Sequence, residues 1–466
     1  MTLSQTADLS CLFEPRAVAV IGASGSPGKT GHTILKNIID GGFPGAVYPV
    51  NPRGGEILGR PAVTSVGELP GPGEVDLAVV VIPAAAVPGA LFELAERGVK
   101  VAIIISGGFR EAGNDALEVE LNTAIAKTGL RVIGPNCQGV VATAARLCAS
   151  WPLTTRKGPI AVISQSGTVA AAVAGWAESE GFGVSGVVSL GNRADLDEAD
   201  LIAHFSRDPG TAAVALYVEG LADGRRFMAA ARALRQAGKA LFVLRPGRTA
   251  RGIKAAQSHT KSMAGSYQVF VGVARQVGAV SVPDLDALFD TAKTWSYLRG
   301  PSRSGLAVVT SSGGSAILAA DTAEEAGYPL ADLASATAAS LKAALPPHCV
   351  IGNPLDLTGD ADAPRFETAA RLLLGTREVG VVLAIFGDPI PGAAETMARL
   401  RGEAETAGKQ VACCYVGGGE TEKSEVGLMW AQGLLVFPTP ERAARALALA
   451  HQLARQQLPE RKGDHR

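Results

Sequence analysis

Short Val/Ile-rich runs bounded by glycine or proline recur along this chain, with helical patterns between them. That alternation leaves few folds open. Residues 17–21, 46–49, 77–82, 101–105 and 132–133 are the first five such runs. Strands covered on both faces read this way, because neither face meets water. Amphipathic segments such as 31–40 and 87–96 lie between them. The pattern predicts an α/β protein with a parallel, doubly wound sheet whose ligand crevice lies at the strand carboxyl ends.

The alternation then repeats. After a linker-like stretch at 151–157, a second α/β unit shows runs at 160–163, 184–189, 213–219 and 240–244. The basic, proline-containing stretch 297–305 marks another boundary. A third unit follows with runs at 306–310, 380–386 and 410–416 and a helix at 440–456, and the charged tail 458–466 is expected to fray. These signals put the domains at 1–148, 155–298 and 304–457. A chain of 466 residues is too long for one core, and about three domains is the expectation. The second and third units open alike, with Ile160-Ala161-Val162-Ile163-Ser164-Gln165-Ser166-Gly167 and Leu306-Ala307-Val308-Val309-Thr310-Ser311-Ser312-Gly313-Gly314-Ser315. Each is an apolar strand, a Ser/Gly turn and an Ala-rich helix: a loose structural repeat.

Composition narrows the function classes. A formal net charge of -1 argues against an extended nucleic-acid surface. The six cysteines form no C-x-x-C pair and no metal-ligand spacing, so no metal site is expected and a reduced, cytoplasmic setting is. The first sixteen residues have no apolar signal region, and no apolar run approaches ~18 residues, so no membrane span is expected.

Two standard nucleotide readings fail at the first glycine turn, Gly22-Ala23-Ser24-Gly25-Ser26-Pro27-Gly28-Lys29-Thr30-Gly31. A Walker A loop needs glycine where Ala23 stands. The dinucleotide fingerprint needs a different glycine spacing, and the second strand runs into Asn51-Pro52 where an acid should meet the ribose. What survives is an anion site of backbone N–H groups and a helix N-terminus, fit for a phosphate-bearing ligand other than NAD.

Other candidates stand further on. Gly134-Pro135-Asn136-Cys137-Gln138-Gly139 fixes a turn from which Asn136 presents an amide. Ser166-Gly167 and Gly313-Gly314-Ser315 stand where helices begin, and two such N-termini aimed at one point would hold a doubly negative group. Glu219 closes an apolar strand, where a carboxylate commonly reaches a site and can set a histidine tautomer. The acidic run Asp195-Leu196-Asp197-Glu198-Ala199-Asp200 reads as a solvated loop and helix start in preference to a metal site. His259, one of six histidines, lies in the small polar segment 257–266, read as a loop. It is poised there for proton transfer, metal ligation or phosphoryl capture.

Taken in order, these motifs resemble the NDP-forming (ADP-forming) acyl-CoA synthetases of the succinyl-CoA synthetase superfamily. The likeness runs over residues 9–453. It is carried by Ile21-Gly22-Ala23-Ser24 with Pro27-Gly28-Lys29, Gly134-Pro135-Asn136-Cys137, Ile163-Ser164-Gln165-Ser166-Gly167, Ser189-Leu190-Gly191-Asn192-Arg193-Ala194-Asp195, Glu219-Gly220, Ser258-His259-Thr260 and Gly352-Asn353-Pro354-Leu355-Asp356-Leu357. It implies a Rossmann-like CoA-binding domain followed by two flavodoxin-like ligase domains. It also implies a reversible conversion of acyl-CoA, NDP and phosphate into carboxylate, CoA and NTP.

The resemblance makes His259 the transiently phosphorylated residue and Glu219 the carboxylate that orients it. Ser166 and Gly167 would form one phosphate cradle; Gly313, Gly314 and Ser315 would form the other. Gly22, Ser24, Lys29, Pro83, Ser106 and Gly107 would hold CoA, with Asn136 at its thiol end. Residues 261–263 depart from the small-residue run that usually follows the His-Thr pair. The family also needs an ATP-grasp domain, which the three units leave no room for. ATP/ADP and Mg2+ would then sit on a separate ATP-grasp (beta-type) subunit, with two copies of each chain.

Two other classes compete: a catalytically silent CoA-binding regulatory protein of the same fold, and a Rossmann oxidoreductase, which Asn51 and the glycine spacing weaken. The substrate is expected to be a small carboxylic acid, with residues near Trp151, Phe386 and Cys413 as candidates to shape its pocket.

Overall fold

Residues 8–260, 266–298 and 304–457 are described by the computed structural model, without the side chains of 256–260 and 457. The departing run 261–263, most of the boundary stretch 297–305 and the tail 458–466 lie outside the described residues.

The first sheet has five parallel strands in the order Ala46–Val50, Ala17–Ile21, Leu77–Val80, Val101–Ile104 and Arg131–Ile133. Three of them are buried at every position, as their unbroken apolar sequences require. Helices Thr30–Asp40, Val87–Glu96 and Asp115–Thr128 are the crossovers.

The second sheet has seven strands: Val280–Ser281, Ala240–Leu244, Ala213–Tyr217, Lys157–Ser164, Val184–Ser189, Val140–Ala142 and Leu147–Ala149. The first five run parallel. The last two form a hairpin that pairs antiparallel with Val184–Ser189. Residues 140–149, next to the turn that closes the first sheet, are therefore hydrogen-bonded into the second. The third sheet is parallel, in the order Leu355–Asp356, Gly305–Thr310, Val379–Phe386, Gln410–Tyr415 and Val436–Phe437.

The chain divides into two units: residues 1–179 with 183–281, and 180–182 with 282–466. In the first, one apolar core runs through both sheets, from Val20 and Ile133 to Val140, Ile163 and Val218, all fully buried. Each such side chain contributes about 1.5–3 kcal/mol by leaving water. In the second unit, Phe386 and Cys413 are themselves fully buried among the core residues of the third sheet. Two buried charges there are paired: Arg442 grips Asp290 at 2.7 and 3.0 Å, and Lys293 reaches Glu180 at 2.7 Å.

Two local expectations are corrected. The segment around His259 is not a loop up to Thr260: helix Ala250–Thr260 carries it in its last turn. The Ala, Arg, Lys and Gln residues of 250–257 propagate the helix into the polar residues that follow. The acidic run is not solvated. Asp197 caps helix Glu198–Arg207 through the N–H groups of Ala199 and Asp200 in a capping box. Glu198 is 0% exposed, and Asp195 is held by Arg131 at 2.8 Å.

Candidate active site

At the carboxyl ends of its first strands the chain makes close turns. Gly22 has φ +88, and a Cβ there would stand 2.4 Å from the Val81 carbonyl oxygen. Only glycine lets the two strand ends come so close. Asn51, the residue that replaces the expected acid, donates to the Ala23 carbonyl at 2.7 Å and so buttresses the turn. His32 Nδ1 donates to the Ser24 carbonyl at 3.1 Å, on the other side of the turn. Lys29 precedes helix Thr30–Asp40, whose first turn no side chain caps. Ser106 Oγ donates to the Ile82 carbonyl at 2.5 Å, tying the next two strand ends together beside Pro83 and Gly107.

A cleft of about 750 Å³ opens within the first unit, between the strand ends of its two sheets. Asn136, Ser166, Gly167 and Glu219 line it together, with Trp151 and Thr30. Gly22, Ser24, Lys29, Pro83, Ser106 and Gly107 are not among its lining residues; they stand at the strand ends of the first sheet. Gly313, Gly314 and Ser315 open helix Gly313–Glu325 in the other unit. The side chain of His259 lies outside the described residues.

Asn136 adopts φ +57, a left-handed conformation that asparagine tolerates better than most residues. Its N–H donates to the Ser106 carbonyl at 2.9 Å. Gly191 of the second sheet's loop is pressed against this turn. A Cβ there would lie 2.1 Å from the Pro135 oxygen, and Asn192 N–H donates to that same oxygen at 2.8 Å.

Ser166 and Gly167 stand at the start of helix Gly167–Ser179. Ser164 Oγ shapes the approach, accepting from Ser166 N–H at 3.1 Å and donating to the Ser166 carbonyl at 2.6 Å. Thr310 does the same around Ser312 at 2.9 and 3.1 Å. The sequence repeat between 160–167 and 306–315 is thus a repeat of hydrogen bonding.

Glu219 stands two residues beyond its strand, which ends at Tyr217. The Gln165 amide clamps it: Oε1 accepts from the N–H groups of Glu219 and Gly220 at 2.8 and 3.3 Å, and Nε2 donates to the Gly220 carbonyl at 2.9 Å. Arg193 also donates to the Gly220 carbonyl, at 2.7 Å, and to Glu198 at 3.0 Å. The Tyr217 hydroxyl donates to Glu219 at 3.4 Å. Burial first, and then the negative Glu219, push the Tyr217 phenol up to about 12, so it stays a donor.

Gln165, Arg193, Asn192 and Glu111 also line the cleft. Sequence reasoning gives none of them a role of its own, although the first three lie inside motifs that carry the resemblance. Glu111 accepts from the N–H groups of Gly108 and Phe109 at 2.6 and 3.2 Å and from Asn192 Nδ2 at 2.5 Å. Burial acts to raise its carboxyl, but these hydrogen bonds outweigh it and hold the group below the ordinary range.

Comparison with known proteins gives this arrangement its family. Residues 16–143 match a family model described as a CoA binding domain, 157–295 a succinyl-CoA ligase like flavodoxin domain, and 306–457 a ligase-CoA domain. The chain is 40% identical over 450 residues to the alpha subunit of acetate–CoA ligase (ADP-forming) I of Pyrococcus furiosus, covering 94% of this chain and 96% of that one. It is 40% identical over 441 residues to an acetate–CoA ligase (ADP-forming) I of Archaeoglobus fulgidus, of which it spans 62%. A solved acetyl-coenzyme A synthetase of Ca. Korarchaeum cryptofilum, in complex with phosphate and ADP, superposes with a TM-score of 0.88 at 35% identity over 97% of both chains. With its CoA-binding domain followed by two ligase domains, this chain belongs to the ADP-forming acetate–CoA ligases, as an alpha-type subunit.

Proposed function

We propose that this subunit converts acyl-CoA and phosphate into a carboxylate, CoA and a phosphohistidine at His259, and that a separate ATP-grasp subunit passes the phosphoryl group to ADP. The observation that carries this reading is the cleft that brings Asn136, Ser166, Gly167 and Glu219 together. The relatives' names make acetate, or another small carboxylate, the acid released.

Each residue type suits a step. CoA lies along the strand ends at Gly22, Ser24, Lys29, Pro83, Ser106 and Gly107, with its thioester at Asn136. A phosphate oxygen attacks the thioester carbonyl; the C–S bond breaks and the sulfur leaves to be protonated as CoA. An imidazole nitrogen of His259 then attacks phosphorus and the carboxylate leaves. Two modest transfers replace one difficult one. The helix start at Ser166-Gly167 stabilises the phosphate charge, as helix N-termini do, and the start at Gly313-Gly314-Ser315 is its counterpart. Glu219 holds the imidazole in one tautomer. The partner reading is supported by the alpha-subunit name of the Pyrococcus relative and by the greater length of the Archaeoglobus one.

The test is to assay the purified chain for acetyl-CoA-dependent ATP synthesis from ADP and phosphate, with and without an ATP-grasp subunit. ATP is expected only with the partner. Robust synthesis by this chain alone would overturn the two-subunit reading. Calorimetry on the same chain should show binding of CoA and none of NAD.

A further inference from the structure

Three polar side chains form a chain along the cleft. Glu111 comes from the loop after strand Val101–Ile104 of the first sheet. Asn192 comes from the loop after strand Val184–Ser189 of the second, and Asn136 from the turn between the sheets. Asn192 Nδ2 donates to Glu111 at 2.5 Å, and Asn136 Nδ2 donates to Asn192 Oδ1 at 3.4 Å. Either amide alone could lie two ways. A carboxylate already bound by two N–H groups can only accept, so Asn192 must turn its NH2 to Glu111 and its oxygen to Asn136. Asn136 must then turn its NH2 to Asn192 and its oxygen towards Gly107, where a Cβ would lie 3.0 Å from it.

We infer that Asn192 is a positioning residue, which takes its orientation from Glu111 and fixes that of the Asn136 amide where the CoA thioester reacts. The inference rests on the reading of the cleft given above. Its consequence concerns rate more than affinity. Most of CoA binds elsewhere along the strand ends, whereas a misturned amide at the reacting end costs alignment.

The polarity of the chain can be reversed and restored. In Glu111→Gln the new NH2 competes to turn Asn192, and with it Asn136, the wrong way. In Asn192→Asp two carboxylates face each other. In the double variant the amide introduced at position 111 donates to the carboxylate introduced at position 192, whose other oxygen again accepts from Asn136. The experiment measures three quantities on the full chain: the maximal rate of protein phosphorylation from acetyl-CoA and phosphate, the Kd for CoA by calorimetry, and the melting temperature.

Each single variant is expected to lose about tenfold or more in maximal rate, with Kd within about threefold of the parent. The double variant is expected to recover to within about threefold of the parent rate. A double variant no faster than the slower single, or single variants at the parent rate, would overturn the inference. So would rate, Kd and melting temperature falling together, which marks a purely structural role. If Asn192→Asp fails to fold, Glu111→Gln and the double variant decide by the same criteria. A parent chain that binds no CoA would overturn the reading of the cleft itself, and the inference with it.

Discussion

Glu219 is fixed by a residue that stands 54 positions before it: its N–H donates to Gln165 Oε1 at 2.8 Å, across the ends of two adjacent parallel strands. The same amide donates to the Gly220 carbonyl. One glutamine thus sets the direction in which the Glu219 carboxylate leaves the backbone.

Gln165→Leu keeps the bulk and removes the side chain's bonds to Glu219, Gly220 and Glu198. It should slow acetyl-CoA-dependent phosphorylation by about 10–100-fold, the usual cost of losing a group that orients a reacting one. Steady-state phosphorylation rates with circular dichroism as a fold check measure this. A parent-like rate would show that the clamp does not govern Glu219.

Gly191→Ala should destabilise the first unit. The new Cβ would stand 2.1 Å from the Pro135 oxygen, at a φ of +55. Relieving that contact displaces either loop, at a cost of about 1–3 kcal/mol for the backbone conformation alone. Urea unfolding measures the loss, and an unchanged midpoint would mean that the loops separate freely.

His204 gives the first unit an acid sensitivity. It stacks on Phe13 at 4.1 Å between ring centres. Burial, despite the opposing pull of Asp208, lowers its pKa to about 4. The unfolded chain therefore binds a proton that the folded chain refuses between about pH 6.5 and 4. The contribution is complete above pH 6.5, declines as pH falls through that window, and is lost below about 4. It amounts to about 3 kcal/mol at most. His204→Phe should flatten the dependence of the urea midpoint on pH between 4.5 and 7.5 relative to the parent. Parallel curves would contradict this.

Legibility in the sequence follows from locality. Buried parallel strands are legible because burial on both faces leaves an unbroken apolar run; Ala17–Ile21, Val184–Ser189 and Ala240–Leu244 begin and end where the runs do. The hairpin 140–149 is not, because three-residue strands carry no period and its pairing with Val184–Ser189 is set by tertiary packing. The helical state of 250–260 is hidden by polar residues whose turn preference the preceding helix formers override.

Within the site, Asn136, Ser166, Gly167 and Glu219 stand out because each lies in a turn just after a strand or at the start of a helix. Gln165, Arg193, Asn192 and Glu111 acquire meaning only from partners up to 81 residues away. Asn353 is similar: part of a motif, it serves the third sheet by accepting from Val308 N–H and donating to the carbonyls of Leu306 and Ala331.

The central claim is that phosphate from acyl-CoA cleavage comes to rest on His259. The direct measurement incubates the purified chain with acetyl-CoA and radiolabelled phosphate and follows protein-bound label in acid and in base. The parent should acquire an acid-labile, base-stable label. Glu219→Gln should acquire it about 10–100-fold more slowly, and His259→Ala should acquire none while still binding CoA. Undiminished label on His259→Ala would contradict the account.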